Sequence, residues 1–529
     1  MKHPMLWFAA AMFVSAPIAA MHVDPGGLGQ VLIFPYYTVN GGNQTLISVG
    51  NRSDAGKALK LRFLEGMNGR EVAALNVYLA PHDIWTAAVF STDDHGPAKL
   101  ATLDASCTVP LIGHSTSLPQ LPGGRRFLPF SNQGYAGAHD DPGPDLIERT
   151  REGYFEIIEM GEVVNASRHS LDDISDYRNT DGCARIDAAW TIGGYWTQSA
   201  DTDMRPPGGG LGASMSIVDT LNGTLLTSPA LAIGGFSSIV QHTAPAAATP
   251  DLSSGTGVVA GDPVRSTGFG FDTLQFTPER AIDAVTALMM VSALANDYVT
   301  GAQVGGASEW VVTMPTRKFY TDDAVAQSDR WPFSRAFSDT VARADAAQSM
   351  PPLVRFPPFP RDPGLPAPPL IQPFELPGER VFLTLWNREG GPSRTYRCAH
   401  PVYCIGDPPA ELFPALAWAS NVISFNQPQL SASAVLGSRL RLDIDTHALG
   451  VGDEGWAELS LPGILWADGT DGEQYELKGL PAMGFWALSV TNSAVTPGVL
   501  ANYAALVPHR GTRARTILFR ADAAHSEEH

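Results

Sequence analysis

A glycine-rich acidic turn is the first candidate for chemistry in this sequence. Asp468, Asp471 and Glu473 place three carboxylates within one short segment that also contains two glycines. Calcium prefers such oxygen ligands on a flexible loop. The spacing is not that of an EF-hand, and exposed acidic turns are common in proteins without a bound metal. Two interpretations therefore stay open, a calcium site at these three residues or an ordinary solvated turn.

Catalytic motifs are few, and each has a simpler explanation. The last five residues, 525–529, match the HxxEH spacing of a zinc protease, but that motif needs an ordered helix and chain ends fray. Residues 208–212 are glycine-rich but lack the Lys-Ser/Thr pair of a phosphate-binding loop. Neither GxSxG nor SxxK is present. The sequence identifies no catalytic residue, although a site assembled only in the folded chain stays open, including a carboxylate pair for glycoside hydrolysis.

Four cysteines, Cys107, Cys183, Cys398 and Cys404, predict disulfide bonds. An even number in an exported chain favours two bridges. Of the three connectivities we predict Cys107–Cys183 and Cys398–Cys404, because each pair lies on its own side of a proline-rich segment. The alternative, a metal site, is disfavoured because the spacing contains no CxxC pair.

The 11 tryptophans could stack on sugar rings, but most of them lie within apolar runs, which favours packing in a core. Trp331 and Trp466 lie beside polar or turn residues, so we expect these two to be exposed. The tryptophans predicted to pack in the core are Trp85, Trp190, Trp196, Trp310, Trp418, Trp456 and Trp486.

The N-terminus predicts export. A short positive start is followed by an apolar run from Met5 to Ala16 and by a small-residue exit at Ala19-Ala20, which is the pattern of a cleaved signal peptide over residues 1–20. A membrane-spanning helix needs roughly 20 apolar residues, so an uncleaved anchor is the less favoured alternative. We expect the mature chain in the periplasm, at the cell surface or outside the cell.

The net charge and the distribution of apolar residues exclude several classes of partner. The formal net charge of −19 argues against nucleic acid and against anionic lipid. After the signal peptide no apolar stretch is long enough to span a membrane as a helix. The expected partner is therefore a cell-envelope or extracellular polymer or protein, and no cofactor is expected apart from the calcium of the acidic turn.

Short apolar and alternating runs separated by turn residues predict an all-β fold. The 52 glycines and 42 prolines require frequent turns. The run Leu59-Lys60-Leu61-Arg62-Phe63 has the period of two that is typical of a half-buried strand. We expect two or more immunoglobulin-like β-sandwich regions with long loops. The predicted strands include residues 31–34, 45–49, 72–79, 84–90, 381–386, 421–425, 440–444, 456–461 and 485–490.

One helix and one connector complete the predicted architecture. Residues 278–296 form the best helix candidate, apolar almost all round, which predicts that it is buried or that part of it is strand. Eleven of the 27 residues from Pro351 to Pro377 are prolines, which predicts a stiff linker or a strap along a surface. The predicted regions are an N-terminal sandwich with insertions at 21–345, the proline-rich segment at 346–379 and a C-terminal sandwich at 380–529.

Five segments of the chain form a recognisable set: VLIFPYYTVNGGNQTLISVGN (31–51), FLEGMNGREVAALNVYLAPHDIW (63–85), REGYFEIIEMG (151–161), WVVTMPTRKFY (310–320) and LPAMGFWALSVTNSAVTPGVLANYAALVPHRG (480–511). With these segments the chain resembles a family of secreted proteobacterial proteins that are described only as uncharacterised or cell-surface proteins. The resemblance implies export and a surface role, and it transfers no functional residue. We expect a non-enzymatic protein with a structural, adhesive or binding role. The alternatives are a secreted hydrolase of a polysaccharide or other polymer, and a calcium-dependent binding module.

Overall fold

A computed structural model describes the chain in twelve stretches. They are 20–113, 115–166, 180–260, 274–277, 280–301, 305–326, 330–349, 378–393, 414–427, 432–470, 472–492 and 501–518. The predicted signal peptide up to residue 19, the proline-rich run 351–377 and the terminal HxxEH match lie outside these residues. None of the helices in these stretches has the length and apolar character needed to cross a bilayer.

Fourteen of the described strands precede residue 240. They are β1 (His22–Val23), β2 (Val31–Thr38), β3 (Asn43–Asn51), β4 (Gly56–Glu65), β5 (Glu71–Leu79), β6 (Ile84–Phe90), β7 (Lys99–Ala101), β8 (Cys107–Val109), β9 (Leu128–Pro129), β10 (Glu152–Val163), β11 (Met204–Arg205), β12 (Leu211–Asp219), β13 (Thr224–Pro229) and β14 (Leu231–Gly234).

The remaining described strands and the helices follow the same naming. The strands are β15 (Val258–Val259), β16 (Leu274–Gln275), β17 (Met290–Val291), β18 (Ala293–Val299), β19 (Gly306–Thr313), β20 (Glu379–Arg380), β21 (Phe382–Asn387), β22 (Ala415–Leu416), β23 (Ser420–Phe425), β24 (Arg441–Ile444), β25 (Glu454–Ser460), β26 (Ile464–Gly469), β27 (Gln474–Lys478), β28 (Leu480–Pro481), β29 (Met483–Val490), β30 (Tyr503–Pro508), β31 (Arg510–Thr512) and β32 (Ala514–Leu518). The α-helices are α1 (Thr180–Ala189), α2 (Tyr195–Gln198), α3 (Ala281–Met289), α4 (Lys318–Thr321) and α5 (Phe337–Ser349).

The strands form five larger sheets and two short pairs. Sheet I has the order β1-β14-β2-β10-β4-β5-β8, with β11 on β10, and sheet II has the order β13-β12-β3-β6-β7-β9. Sheet III is β24-β23-β19-β29-β30, sheet IV is β21-β25-β18-β31, and sheet V is β15-β16-β26-β27-β32. Every ladder between these strands is antiparallel except that of β23 with β24. The all-β prediction is confirmed, while the immunoglobulin-like topology stays a prediction.

Two apolar clusters lie on opposite faces of sheet I. Along β2, Val31 and Ile33 join one cluster, whereas Leu32 and Phe34 join the other. Because successive side chains of a strand point to opposite faces, a run of four apolar residues marks a strand that is covered on both sides. Sheet II packs on one of these faces, and residues of sheets III and IV share the cluster on the other.

The predicted helix is shorter than expected. Helix α3 ends at Met289, all nine of its residues are buried, and the chain continues as strands β17 and β18. An apolar helix of this kind needs neighbours on every side. The prediction that the helix is buried is confirmed, and so is the alternative that part of the segment is strand, from Met290 onward.

The sheets include strands from both sides of the proline-rich segment. Strand β25 pairs with β18 on one side and with β21 on the other, so β18 and β21 lie in the same sheet without pairing directly. Strand β19 pairs directly with β23 and β29. Sheets III and IV therefore begin well before residue 345, the end of the predicted N-terminal region. Long-range pairing of this kind leaves no trace in local sequence periodicity.

Candidate ligand-binding face

One face of sheet IV is open to solvent and carries aromatic and charged side chains. Leu383, Leu385, Ala457 and Leu459 point into the core and are fully buried, so the alternate residues of the same strands point outward. We call these outward positions the aromatic face. They are Thr384, Trp386, Ala295, Asp297, Glu454, Trp456, Glu458 and Arg510.

A stacked pair of tryptophans forms the centre of the aromatic face. Trp386 and Trp456 are register partners on β21 and β25, their ring centroids are 3.9 Å apart, and the rings are within 9° of parallel. Trp456 is 39% exposed. A half-exposed indole pair is unusual where a core is available, because burial of such rings stabilises a fold strongly. The pair is therefore a candidate contact surface for a ligand.

Next to the tryptophans, Ala295 lies between an acidic side chain and a basic side chain. Ala295 on β18 lies between Glu458 on one neighbouring strand and Arg510 on the other. Adjacent strands are about 4.8 Å apart, so the carboxylate and the guanidinium stand on either side of a shallow hollow above Ala295. In the preceding row, Asp297 is the register partner of Trp456.

The charged groups of this face are not used to hold the fold together. Within the described part of the chain, the side chains of Asp297, Glu458 and Arg510 form no hydrogen bond or ion pair. At the margin, Arg388 pairs with Glu454 at 2.5 Å, with the Arg388 side chain 71% exposed. The face thus offers two free acceptors, one free donor group and an aromatic surface.

The buried charges of sheet I contrast with these free groups. On β4, Arg62 donates to Glu71 at 2.7 Å and to Glu156 at 2.9 Å, and its guanidinium lies 3.9 Å from Asp251. Burial raises the pKa of Glu156, and Arg62 opposes that shift. Burial lowers the pKa of Lys318, which lies near the same cluster, and the Arg62 charge lowers it further.

A second buried cluster shows what the glycine-rich loop does. Lys57 is fully buried and contacts Glu159 at 2.7 Å and Glu162 at 2.9 Å. The backbone N–H groups of Gly208 and Gly209 donate to the two carboxylate oxygens of Glu159, at 2.9 and 2.7 Å. The loop that resembles a phosphate cradle in sequence therefore binds a carboxylate of its own chain.

Two further buried carboxylates connect distant parts of the chain. Glu152 accepts hydrogen bonds from the hydroxyls of Tyr36 and Ser438, both at 2.6 Å. Glu309 accepts four hydrogen bonds from residues 427–436, including the backbone N–H groups of Val435 and Leu436 at 2.7 and 3.0 Å. Buried carboxylates with this many donors are typical of structural contacts.

The predicted disulfide Cys107–Cys183 is confirmed. It joins β8 to α1 across 76 residues of sequence, and closure of a loop of that length disfavours the unfolded chain by about 4.5 kcal/mol in the loop-entropy model. Cys398 and Cys404 lie outside the described residues, so their pairing stays a prediction.

The predicted calcium ligands are only partly described. Asp468 is an exposed residue near the end of β26, and Glu473 directly precedes β27. A tight turn joins the two strands, and in it the backbone N–H of Gly469 donates to the Glu473 carbonyl at 2.8 Å. Asp471 lies outside the described residues. Within the described stretches, no three His, Cys, Asp or Glu side chains are arranged to hold a metal ion. Calcium binding at Asp468, Asp471 and Glu473 stays a prediction.

The tryptophan predictions have a mixed outcome. Trp331 and Trp466 are 51% and 40% exposed, as expected. Trp85, Trp196, Trp310 and Trp486 are buried, also as expected. The prediction for Trp456 is wrong, because the alternation Gly455-Trp456-Ala457 places the indole on the open side of sheet IV. That alternation was the available signal, and the apolar neighbours obscured it.

Comparison with known proteins identifies no relative. No family model, no curated protein and no solved structure matches this chain. The resemblance to secreted cell-surface proteins therefore stays a prediction, and the function has to be inferred from the geometry of the aromatic face.

Proposed function

We propose that this protein is an exported, non-enzymatic binding protein that holds a neutral polysaccharide of the cell envelope or extracellular matrix against the aromatic face. The observation that carries the proposal is the half-exposed Trp386–Trp456 stack beside the uncommitted side chains of Asp297, Glu458 and Arg510. Export rests on the N-terminal sequence, and the surface role agrees with the family resemblance.

The chemistry of the face suits a sugar ring. The C–H faces of a pyranose are apolar and pack on indole rings, while its hydroxyls need both donors and acceptors. Glu458 and Asp297 accept hydrogen bonds from hydroxyls, and Arg510 donates to ring and hydroxyl oxygens. The net charge of −19 repels an acidic polymer at long range, which favours a neutral one.

A secreted hydrolase is the second candidate, and its best support is the cluster of Glu71, Glu156 and Asp251. Arg62 contacts all three carboxylates, and the side chains of Arg62 and Glu156 are 4% and 1% exposed. The two carboxylates of a glycosidase have to reach the glycosidic bond of the substrate. The cluster therefore supports a structural role better than catalysis, and an assay for reducing ends released from the bound polymer tests the alternative.

Affinity electrophoresis of the full chain through gels that contain neutral polysaccharides tests the proposal. We expect retardation by at least one polymer, and we expect Trp456→Ala to weaken binding at least ten-fold. Trp466→Ala is the matched control, because Trp466 is equally exposed but lies on β26 of sheet V. Equal retardation of wild type and both variants contradicts the proposal, as does the absence of retardation by every polymer.

A second variant distinguishes a loss of binding from a loss of folding. Arg510→Gln removes the charge of an exposed side chain at the edge of sheet IV and keeps its hydrogen-bonding ability. We expect it to weaken binding by a smaller factor than Trp456→Ala, with an unchanged melting temperature. The circular dichroism couplet of the stacked indoles should persist in Arg510→Gln and disappear in Trp456→Ala.

A further inference from the structure

We propose that the open face of sheet II docks against the same face of a second copy of this chain. This inference is independent of polysaccharide binding, because it concerns another sheet and another kind of partner. We call this surface the hydroxyl face. It consists of the outward positions of β3, β6, β12 and β13, which are Gln44, Leu46, Ser48, Gly50, Ile84, Thr86, Ala88, Phe90, Gly212, Ser214, Ser216, Val218, Leu225, Thr227 and Pro229.

The hydroxyl face contains no charged residue at any of these fifteen positions. Charged residues make up 17% of the chain and concentrate at exposed positions in most proteins. Four adjacent strands thus present an uncharged surface. At its β6 edge the Asp104 carboxylate accepts from the Thr86 hydroxyl at 3.3 Å, and Lys99 is the register partner of Phe90. Several of its apolar side chains are well exposed, with Leu46 at 40%, Ile84 at 55% and Leu225 at 54%.

Hydroxyl groups lie in register across the same strands. Ser214 pairs with Ser48, and Ser48 pairs with Thr86. In the next row the Ser216 and Thr227 hydroxyls hydrogen-bond each other at 2.9 Å. A hydroxyl both donates and accepts, so a row of them is complementary to another row of the same kind.

The net charge of the chain restricts where two copies can meet. Two copies that each carry −19 repel each other wherever acidic surfaces meet, and the fifteen positions of the hydroxyl face place no like charges opposite each other, with Asp104 at the β6 edge as the nearest carboxylate. A twofold interface must also be complementary to itself. Rows of hydroxyl and apolar side chains meet that condition, whereas a face of carboxylates does not.

The size of the face predicts a weak dimer. Four strands span about 19 Å across the sheet and the outward rows about 20 Å along it, which gives a footprint of roughly 400 Å² per copy. Stable interfaces usually cover about 800 Å² per partner. We therefore expect reversible self-association, with a dissociation constant in the range of about 10 to 500 μM.

Sedimentation velocity of the full chain across that concentration range tests the inference. We expect Leu46→Asp and Ser216→Asp to raise the dissociation constant at least ten-fold, because each places like charges opposite each other. Ile192→Asp is the matched control, since Ile192 is fully exposed outside the hydroxyl face, and it should leave the constant unchanged. Added salt should strengthen the dimer slightly, because it screens the like net charges.

Two further variants separate loss of the interface from loss of folding or of sugar binding. Ser216→Asn keeps the position polar and uncharged, so the dimer should persist within about three-fold. Trp456→Ala should dimerise like the wild type. The inference is overturned if the wild type stays monomeric at the highest concentration, or if the two acidic variants of the hydroxyl face dimerise as well as Ile192→Asp.

Discussion

The two sheets of the first sandwich distribute charge in opposite ways. Strand β4, an inner strand of sheet I, buries its charged residues, because Lys57, Lys60, Arg62 and Glu65 are at most 4% exposed. In sheet II, the outward positions of β3, β6, β12 and β13 carry no charged residue, and the nearest charged groups, Lys99 and Asp104, lie at the β6 edge of this surface. In most globular proteins charged residues lie outside and uncharged ones inside, so sheet I and the open face of sheet II both invert the usual arrangement.

Buried charges and uncharged exposed surfaces have different roles in this molecule. Buried charges on β4 and β10 form directional contacts with loops far away in sequence, such as that of Glu159 with Gly208 and Gly209. On the uncharged face, Leu28 lies against Gly212 and Asp104 accepts a hydrogen bond from the Thr86 hydroxyl, whereas side chains such as those of Leu46 and Leu225 are exposed for contacts between molecules. The aromatic face of sheet IV is intermediate, because its charges are exposed and uncommitted.

The largest expected effect comes from breaking a buried pair in sheet I. Lys57→Met leaves the fully buried carboxylate of Glu159 without its cation, and we expect a loss of about 3 to 5 kcal/mol in the free energy of unfolding. Urea denaturation at neutral pH measures it. In the double variant Lys57→Met/Glu159→Gln the loss should be smaller than the sum of the two single losses, since no unpaired charge remains.

Lys478→Met is the matched control for that prediction. Lys478 lies 3.9 Å from Glu476 and its side chain is 48% exposed. Exposed pairs contribute little, so we expect a change below about 0.5 kcal/mol. Similar losses for the buried and the exposed lysine contradict the structural role assigned to the charges of sheet I.

The strands of both sheets could be predicted from sequence, but the depth of their burial could not. Alternation in Leu59-Lys60-Leu61-Arg62-Phe63 correctly predicts a strand, and it also predicts that the basic residues face water. In the structure all ten residues of β4 are buried. The alternation gives the two faces of a strand, whereas only the long-range packing of residues around 251 and 318 decides that the polar face is covered too.

A second test concerns a buried carboxylate that fastens a loop to sheet III. In Glu309 each oxygen accepts two hydrogen bonds. Glu309→Gln places an NH₂ group against two donors whichever way the amide turns, so we expect a loss of about 2 to 3 kcal/mol in the free energy of unfolding. Glu389→Gln, on an exposed turn, is the control and should have no measurable effect.

The aromatic face could be predicted from sequence only in part. The strands that carry Trp386 and Trp456 follow from their apolar periodicity, and the exposure of Trp456 follows from the same alternation. Strand β25 pairs with β21 on one side and with β18, which supplies Ala295 and Asp297, on the other, so the sheet joins segments more than 80 residues apart in sequence. No local pattern specifies such a pairing, so the face is a property of the folded chain.

The contribution of His509 makes the stability of sheets III and IV depend on pH, whereas none of the fifteen positions of the hydroxyl face carries a titratable group. His509 lies between β30 and β31, donates from Nε2 to the Val311 carbonyl at 2.9 Å and accepts from Asn296 at Nδ1. Burial lowers the pKa of His509 to about 4. Because the unfolded chain then binds more protons between about pH 4 and 6.5, this residue's contribution to stability falls as the pH falls through that window.

The matched variant for the pH test is His509→Gln, which keeps a donor and an acceptor but does not titrate. We expect the difference in free energy of unfolding between wild type and variant to shrink by about 1 to 2 kcal/mol from pH 7 to pH 5. Thermal unfolding of both proteins across that range measures it. A difference that stays constant with pH would show that His509 is protonated alike in the folded and unfolded chains.

The smallest expected effect tests whether the hydroxyl face is open in the monomer. Ser48→Thr adds a methyl group at an outward position and raises β propensity, so we expect a stabilisation of no more than about 0.5 kcal/mol at low protein concentration. Ser424→Thr adds the same methyl group at a buried position of β23, where overpacking should cost about 1 to 3 kcal/mol. If Ser48→Thr costs as much as Ser424→Thr, the face is packed within the monomer and cannot meet a second copy, because a side chain that already has close neighbours leaves no room for a partner.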